Sequence, residues 1–259
     1  MIKRNFVKEK LKQGLPVMGT WNTLASPLVT EILGQAGFDF VIIDFEHGPA
    51  DYSNIASYVN AAEINQCSPI VRVSSQADWQ TLQALDQGAH GIIVPHVDTL
   101  EELKSIIDNA KYAPLGKRGF TPFTKAGGFS SGVIENYTEE ANNFNLISII
   151  IESKKGLQNL DKILSCKELD VVYLGSYDLS QDLGVPGQVR HPLVVKEITD
   201  AVVKIKAAGK FAGGFLLQNE EDAKWLINMG MQFLLFDVDS SILYRPIKKM
   251  TDFLKGQRN

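Results

Sequence analysis

Phe38-Asp39-Phe40-Val41-Ile42-Ile43-Asp44-Phe45-Glu46-His47-Gly48-Pro49 is an apolar run that stops abruptly at ionisable side chains, Asp44, Glu46 and His47. Phe, Val and Ile in close succession, closed by Gly-Pro, predict a strand buried on both faces, as in a parallel sheet. In α/β sheets and barrels, ligands sit at the carboxyl ends of the strands. Asp44 and His47 therefore leave the core where chemistry is usually carried out. A carboxylate shortly before an imidazole can hold its tautomer and raise its basicity, which a general base requires. The same residues also fit a plain strand end whose charges cap the next helix, and this segment alone does not separate the two readings.

Outward from this stretch, strand and helix signals alternate along the chain. Strands are predicted at 15–21, 38–44, 69–73, 91–94, 146–151, 169–174, 211–215 and 232–236. Helices are predicted at 26–37, 52–65, 77–87, 99–112, 136–143, 156–165, 192–208, 219–229 and 241–256. Ser26-Pro27 opens its helix as cap and first-turn proline, and Gly37 closes it. A polar helix at 2–13 precedes the first strand as a lid or docking helix. Residues 113–135 break the rhythm with a glycine- and proline-rich loop of the length that functional lids have. Strand followed by helix throughout, in a chain of 259 residues, predicts one α/β domain over 1–259, a (β/α)₈ TIM barrel. The competing doubly wound sheet lacks its signature: there is no Gly-x-Gly-x-x-Gly after the first strand and no Gly-x-x-x-x-Gly-Lys-Ser/Thr.

Composition narrows the function classes. With 44% hydrophobic and 22% charged residues, the chain reads as an ordinary folded protein. A formal net charge of -4 gives no reason to expect nucleic acid or an anionic membrane as partner. No run of about 18 apolar residues predicts a transmembrane helix, and the first six residues lack a signal-peptide core. Cys67 and Cys166 stand far apart in no metal-like spacing, as reduced thiols of a cytoplasmic protein would.

Placed on a barrel, the polar residues that end apolar runs converge. Asp44 and His47 follow the second strand, Arg72 ends the third, Glu152 follows the fifth and Asp178 the sixth, all at one rim. Two carboxylates on neighbouring strands suit a hard divalent ion such as Mg²⁺ or Mn²⁺, with Co²⁺ a further candidate. Arg72 offers a cationic fork to a carboxylate or enolate oxygen, or pairs with one of these acids in a buried network.

In order along nearly the whole chain, the residues resemble the HpcH/HpaI family of class II, metal-dependent pyruvate aldolases. The matching pieces are Gly19-Thr20-Trp21 with Ser26-Pro27, Ala36-Gly37-Phe38-Asp39 through Gly48-Pro49, and Val71-Arg72-Val73. Val94-Pro95-His96-Val97-Asp98-Thr99, Tyr112-Ala113-Pro114 with Gly116-Lys117-Arg118-Gly119, Ile151-Glu152-Ser153, Gly175 to Ser180 and Val238-Asp239 continue the pattern. The resemblance implies a (β/α)₈ barrel assembled as a homo-oligomer, a hexamer or trimer, with the last helix exchanged between subunits. It implies Glu152 and Asp178 as metal ligands, and His47, oriented by Asp44, as base, acting directly or through a water on the metal. Arg72 would steady the enolate oxygen of bound pyruvate. Trp21, Ser176, Tyr177 and Asp178 would complete the substrate seat. The implied reaction splits a 4-hydroxy-2-oxoacid reversibly into pyruvate, or a close 2-oxoacid, and an aldehyde, without a Schiff-base lysine.

Departures from the family are specific. Ile150 replaces a glutamine near the metal, Tyr177 replaces the small residue before the metal aspartate, and Asp237 replaces a glycine of the last strand. The loop at 119–132 also differs. These changes admit a related C–C lyase of the same scaffold with another substrate, citrate-lyase-like and acting on a CoA ester. A non-catalytic barrel subunit is the third reading, and it has no reason to keep all five polar positions. His96 stands where the family has an apolar residue and is read as packed or at a subunit contact, within reach of the site. His90 and His191 are read as solvated loop residues. Lys125, Lys154 and Lys155 are read as surface or lid charges, and Lys248, Lys249 and Lys255 as the wet face of the last helix.

Overall fold

Phe40–Asp44 and Leu146–Ile151 are buried at every position, as expected of strands walled by a barrel interior on one face and by helices on the other. The computed structural model describes residues 4–74, 78–130 and 136–257. Within them β1 (Val17–Asn22), β2 (Phe40–Asp44), β3 (Ser68–Arg72), β4 (Gly91–Val94), β5 (Leu146–Ile151), β6 (Val171–Leu174), β7 (Phe211–Leu217) and β8 (Phe233–Val238) form a closed parallel barrel. Neighbours in sequence are neighbours in space, and β8 returns to β1.

The strand period of two divides the core into layers. Phe40, Ile42, Ile70, Ile93, Val171 and Phe233 fill the interior, where the Phe40 and Phe233 rings stack at 4.2 Å. Val41, Ile43, Ile92, Ile149 and Val172 face outward, against Leu103, Ile107, Ile198 and Val202 of the surrounding helices. Gly19 makes the interior stack fit: a Cβ there would stand 2.4 Å from the Phe40 ring. Helix starts follow local chemistry. Thr99 and Glu102 form a reciprocal capping box before Leu100–Ala110, and the Asn219 side chain accepts from the Asp222 N–H before Glu220–Met229.

The N-terminal helix, Phe6–Lys12, is not a lid over the catalytic rim. Val7 and Leu11 enter the interior cluster, each contributing about 1.5–3 kcal/mol of burial. Asn5 Nδ2 donates to the His90 and Phe144 carbonyls and Lys8 Nζ to the Asn145 carbonyl, all just before β4 and β5 begin. The helix thus plugs the N-terminal mouth, opposite the acids; positions 2 and 3 of its predicted span lie outside the described residues. Other boundaries differ by a residue or two, and the helix expected at 156–165 is two short ones, Lys154–Gln158 and Leu160–Ile163. An additional helix, Ser176–Asp182, follows β6 directly. The part of the 113–135 loop at 131–135, and position 77 of the helix expected at 77–87, lie outside the described residues. No helix of the described residues is long and apolar enough to cross a membrane.

Candidate active site

Parallel register sets the first half of the rim. Asp44 and Arg72 are opposed partners at the C-terminal ends of β2 and β3. Arg72 Nε donates to Asp44 Oδ1 at 2.8 Å and Nη2 donates to Oδ2. Asp44 is fully buried and also accepts the backbone N–H groups of Glu46 and His47 at 3.0 and 3.2 Å. Arg72 Nη1 stands 3.0 Å from Glu46 Oε2, and its guanidinium lies 4.2 Å above the Trp21 ring. The aromatic face and two carboxylates therefore fix the orientation of the guanidinium fork. The expectation that Asp44 orients the His47 imidazole needs correction. Its oxygens take Arg72 and the amides of the turn, so it shapes the backbone that carries His47, while the His47 side chain reaches solvent.

The second half lies across the barrel mouth at β5 and β6. Ile151 is the register partner of Leu174, which brings the following residues, Glu152 and Gly175, side by side. A Cβ at Gly175 would stand 2.9 Å from Glu152 Oε2, so the glycine makes room for that carboxylate. Burial pushes the Glu152 acid up to about 7; Asp178 and Glu46 push the same way, against the His96 N–H and ring. Asp178 is exposed on the first turn of Ser176–Asp182, with Ser176 buried and Tyr177 58% exposed beside it.

One cavity of about 430 Å³, open to solvent, is lined by all eight residues singled out in the sequence: Trp21, Asp44, His47, Arg72, Glu152, Ser176, Tyr177 and Asp178. Ile150, Tyr173 and Leu216 supply apolar wall. A recess beside it shares Glu152 and Asp178 and adds His96 and Asp98. No group of three or more His, Cys, Asp or Glu arranged to hold a metal occurs among the described residues. Glu152 and Asp178 nonetheless fit a hard divalent ion. They are oxygen donors close enough to raise the Glu152 acid, and Gly175 leaves Oε2 space that any side chain would fill.

Three contacts were not legible in the sequence. Glu46 belongs to the opening stretch but was given no role, and it reaches both Arg72 and His96. His96, expected to be packed or at a subunit contact within reach of the site, has a side chain 63% exposed and does reach the site, with Nδ1 2.8 Å from Glu152 Oε1. Its signal was an imidazole immediately after a buried strand. His90, read as solvated, is buried against Phe144 with Nε2 3.1 Å from Glu63. His191 caps the helix Pro192–Ala207 by accepting from Leu193. Asp237 adopts φ 46°, where the family's glycine is at ease, and its carboxylate takes Arg245.

The closed (β/α)₈ barrel, with acids, guanidinium and imidazole gathered on its C-terminal rim, defines an enzyme of the TIM-barrel class. Residues 17–246 match the model of the HpcH/HpaI aldolase/citrate lyase family. The chain belongs to this family. A 4-hydroxy-2-oxo-heptane-1,7-dioate aldolase from Salmonella paratyphi C is 35% identical over 257 residues, covering 99% of this chain and 97% of its own. Among solved structures, citrate synthase SbnG is 32% identical with a TM-score of 0.86, over 96% of this chain and 97% of that one. An HpcH/HpaI aldolase from Desulfitobacterium hafniense is 29% identical with a TM-score of 0.88, over 96% of each chain.

Proposed function

We propose that this enzyme is a divalent-metal-dependent aldolase that reversibly splits a 4-hydroxy-2-oxoacid into pyruvate, or a close 2-oxoacid, and an aldehyde. The observation that carries this reading is the shared cavity, with a guanidinium held by Asp44 on one side and the acids Glu152 and Asp178 on the other. Glu152 and Asp178 would hold Mg²⁺ or Mn²⁺, with Co²⁺ a further candidate. When bound, such an ion supplies positive charge that favours the enolate of a 2-oxoacid over its keto form. Arg72 keeps N–H groups beyond those engaged by Asp44 and Glu46, and these face developing negative charge on the substrate. In the condensation direction His47, exposed at the cavity wall, takes the methyl proton of the 2-oxoacid and the enolate adds to the aldehyde. In cleavage the 4-hydroxyl loses its proton, the C–C bond breaks to release the aldehyde, and the enolate regains a proton at its methyl carbon. Trp21 holds Arg72 in place from below, and Ser176 and Tyr177 border the acid side.

Exchange of pyruvate methyl protons in D₂O, with and without Mn²⁺, tests this reading without knowledge of the aldehyde. Metal-dependent exchange is expected. Exchange that is absent, or indifferent to the ion, overturns it. A related C–C lyase with a different carboxylated substrate, citrate-lyase-like or acting on a CoA ester, is favoured by two departures at the cavity wall. The Tyr177 ring projects there and Ile150 puts a methyl-rich surface beside Glu152. Activity on citrate or a CoA ester with no pyruvate exchange would select it.

We read residues 1–259 as one domain, because the eight strands close on each other. Two free thiols, one of them buried, favour a cytoplasmic location. Homo-oligomerisation, as a hexamer or trimer with the last helix exchanged, is favoured by Asp239–Gly256, where only Asp239 is buried. Leu243, Tyr244, Ile247, Met250 and Leu254 stand 51–61% exposed along it at helical spacing, a stripe that a second copy of the chain would cover.

A further inference from the structure

His96 follows β4 with φ 55°, in the left-handed region that few residues other than glycine, asparagine, aspartate and histidine enter. This conformation brings two groups to one atom: the backbone N–H donates to Glu152 Oε1 at 2.8 Å, and ring Nδ1 stands 2.8 Å from the same oxygen at ion-pair distance. Ring Nε2 lies 3.3 Å from Glu46 Oε1, and Glu46 Oε2 lies 3.0 Å from Arg72 Nη1. Arg72 in turn is forked onto Asp44. Side chains from the ends of β2, β3, β4 and β5 therefore make one continuous polar arc from Asp44 to Glu152.

We propose that His96 is a positioning residue for the metal site: it pins Oε1 of Glu152, turns Oε2 toward the ion, and ties that carboxylate through Glu46 to the Arg72 side. The inference rests on the reading of Glu152 and Asp178 as the metal ligands. A glutamate at the end of a strand has two equivalent oxygens and a free terminal torsion. The backbone hydrogen bond and the ring's ion-pair contact, both on Oε1, set which oxygen turns inward. Gly175 leaves the opposite oxygen the space it needs. The competing view is a surface ion pair, since the ring is 63% exposed and such pairs have little effect. A left-handed backbone that brings both the N–H and the ring of His96 to one carboxylate oxygen speaks against it.

The test is Mn²⁺ binding, without substrate, by calorimetry and electron paramagnetic resonance, on wild type and on His96→Gly, His96→Asn and Glu152→Gln. Glycine accepts the left-handed backbone and keeps the N–H bond to Glu152, so it removes the ring alone. Asparagine also accepts that backbone, and its amide nitrogen stands near the place of Nδ1. His96→Gly should weaken Mn²⁺ binding about 10–100-fold, the usual effect of losing a partner that orients a ligand. Its resonance spectrum should broaden, and His96→Asn should restore both affinity and spectrum toward wild type. Wild-type affinity and spectrum in His96→Gly, with binding still lost in Glu152→Gln, would overturn the role of His96 and leave the metal assignment standing. Loss in both His96 variants alike would overturn it too, because the Nδ1 contact would then not be the cause. Undiminished binding in Glu152→Gln would overturn the metal assignment itself.

Discussion

Asp44→Asn separates positioning through Arg72 from any action on His47. Asp44 is fully buried and meets Arg72 through two charge-assisted bonds, one of 2.8 Å from Nε. An asparagine oxygen can still accept from Nε and from the turn amides. Its NH₂ would face the Arg72 Nη2 donor, replacing an attraction by two opposed N–H groups. Removing one partner of a buried ion pair costs about 3–5 kcal/mol. Glu46 stays 3.0 Å from Nη1 and keeps the guanidinium partly compensated, so the lower end applies. A loss of about 3 kcal/mol corresponds to a drop in melting temperature of roughly 6–12 °C for a domain of this size.

The assay is a double-mutant cycle with Arg72→Met, read by urea unfolding in the presence of EDTA. The coupling energy should reach about 2 kcal/mol, because the double variant buries no uncompensated charge. Pyruvate proton exchange supplies the second axis. Asp44→Asn should lose rate in wild-type and His47→Ala backgrounds and lose little more where Arg72 is already methionine. A coupling below about 0.5 kcal/mol, or further rate loss on top of Arg72→Met, would refute the reasoning.

Four other outcomes follow from the same geometry. His47→Ala should slow exchange about 10²–10⁴-fold, as loss of a general base does, with no change in unfolding midpoint because the side chain is exposed. In the metal-free protein burial holds a proton on Glu152 up to about 7, and a cation must displace it. Calorimetry in buffers of different ionisation enthalpy should therefore find proton release below that pH and little above it. Tyr177→Ala should speed simple pyruvate exchange if the ring only fills the cavity, whereas Tyr177→Phe should cripple the natural reaction if the hydroxyl is used; kinetics across a panel of aldehydes reads both. Lys111 is lowered to about 7, chiefly by burial, from its ordinary 10.5, so the unfolded chain binds the extra proton between those values. Stability should rise with pH across that window, and a Lys111→Met variant unfolded at several pH values should lose the slope.

The barrel was legible because its signals are local and repeated. Phe40 to Ile43 must be buried on both faces, and glycines and caps mark the helices between such runs. Boundaries slipped where apolar residues continue past the pairing: Leu15 extends the first apolar run yet is 48% exposed before β1 begins. The helix Ser176–Asp182 was missed because Gly175-Ser176-Tyr177 has the composition of a turn. The eight candidate site residues line one cavity because each ends or follows a buried run, and a parallel barrel delivers all such ends to one rim. Their pairing was not legible. Whether Asp44 meets His47, three residues on, or Arg72, 28 residues on, depends on β2–β3 register. The contact of His96 with Glu152 depends on a left-handed φ that nothing in Val94-Pro95-His96-Val97 specifies.

The two sides of the cavity differ in charge, and the difference favours the acid side as the place an ion would occupy. On the β2–β3 side Arg72 is matched by Asp44 and Glu46, so its field is largely closed within the protein. On the β5–β6 side burial raises the Glu152 acid, with the charges of Asp178 and Glu46 adding to it. The acid side is short of positive charge, which a proton supplies below about pH 7 and a divalent ion can supply above it. His96 stands on the boundary, bonded to the acid that lacks a cation and close to the acid that shares one. Under the proposed reaction, a substrate carboxylate entering this cavity would meet a guanidinium whose orientation is already fixed, with Glu152 and Asp178 as the residues that would hold an ion on the other side. Both halves are then aligned before any proton moves, the preorganisation that stabilisation of developing negative charge requires.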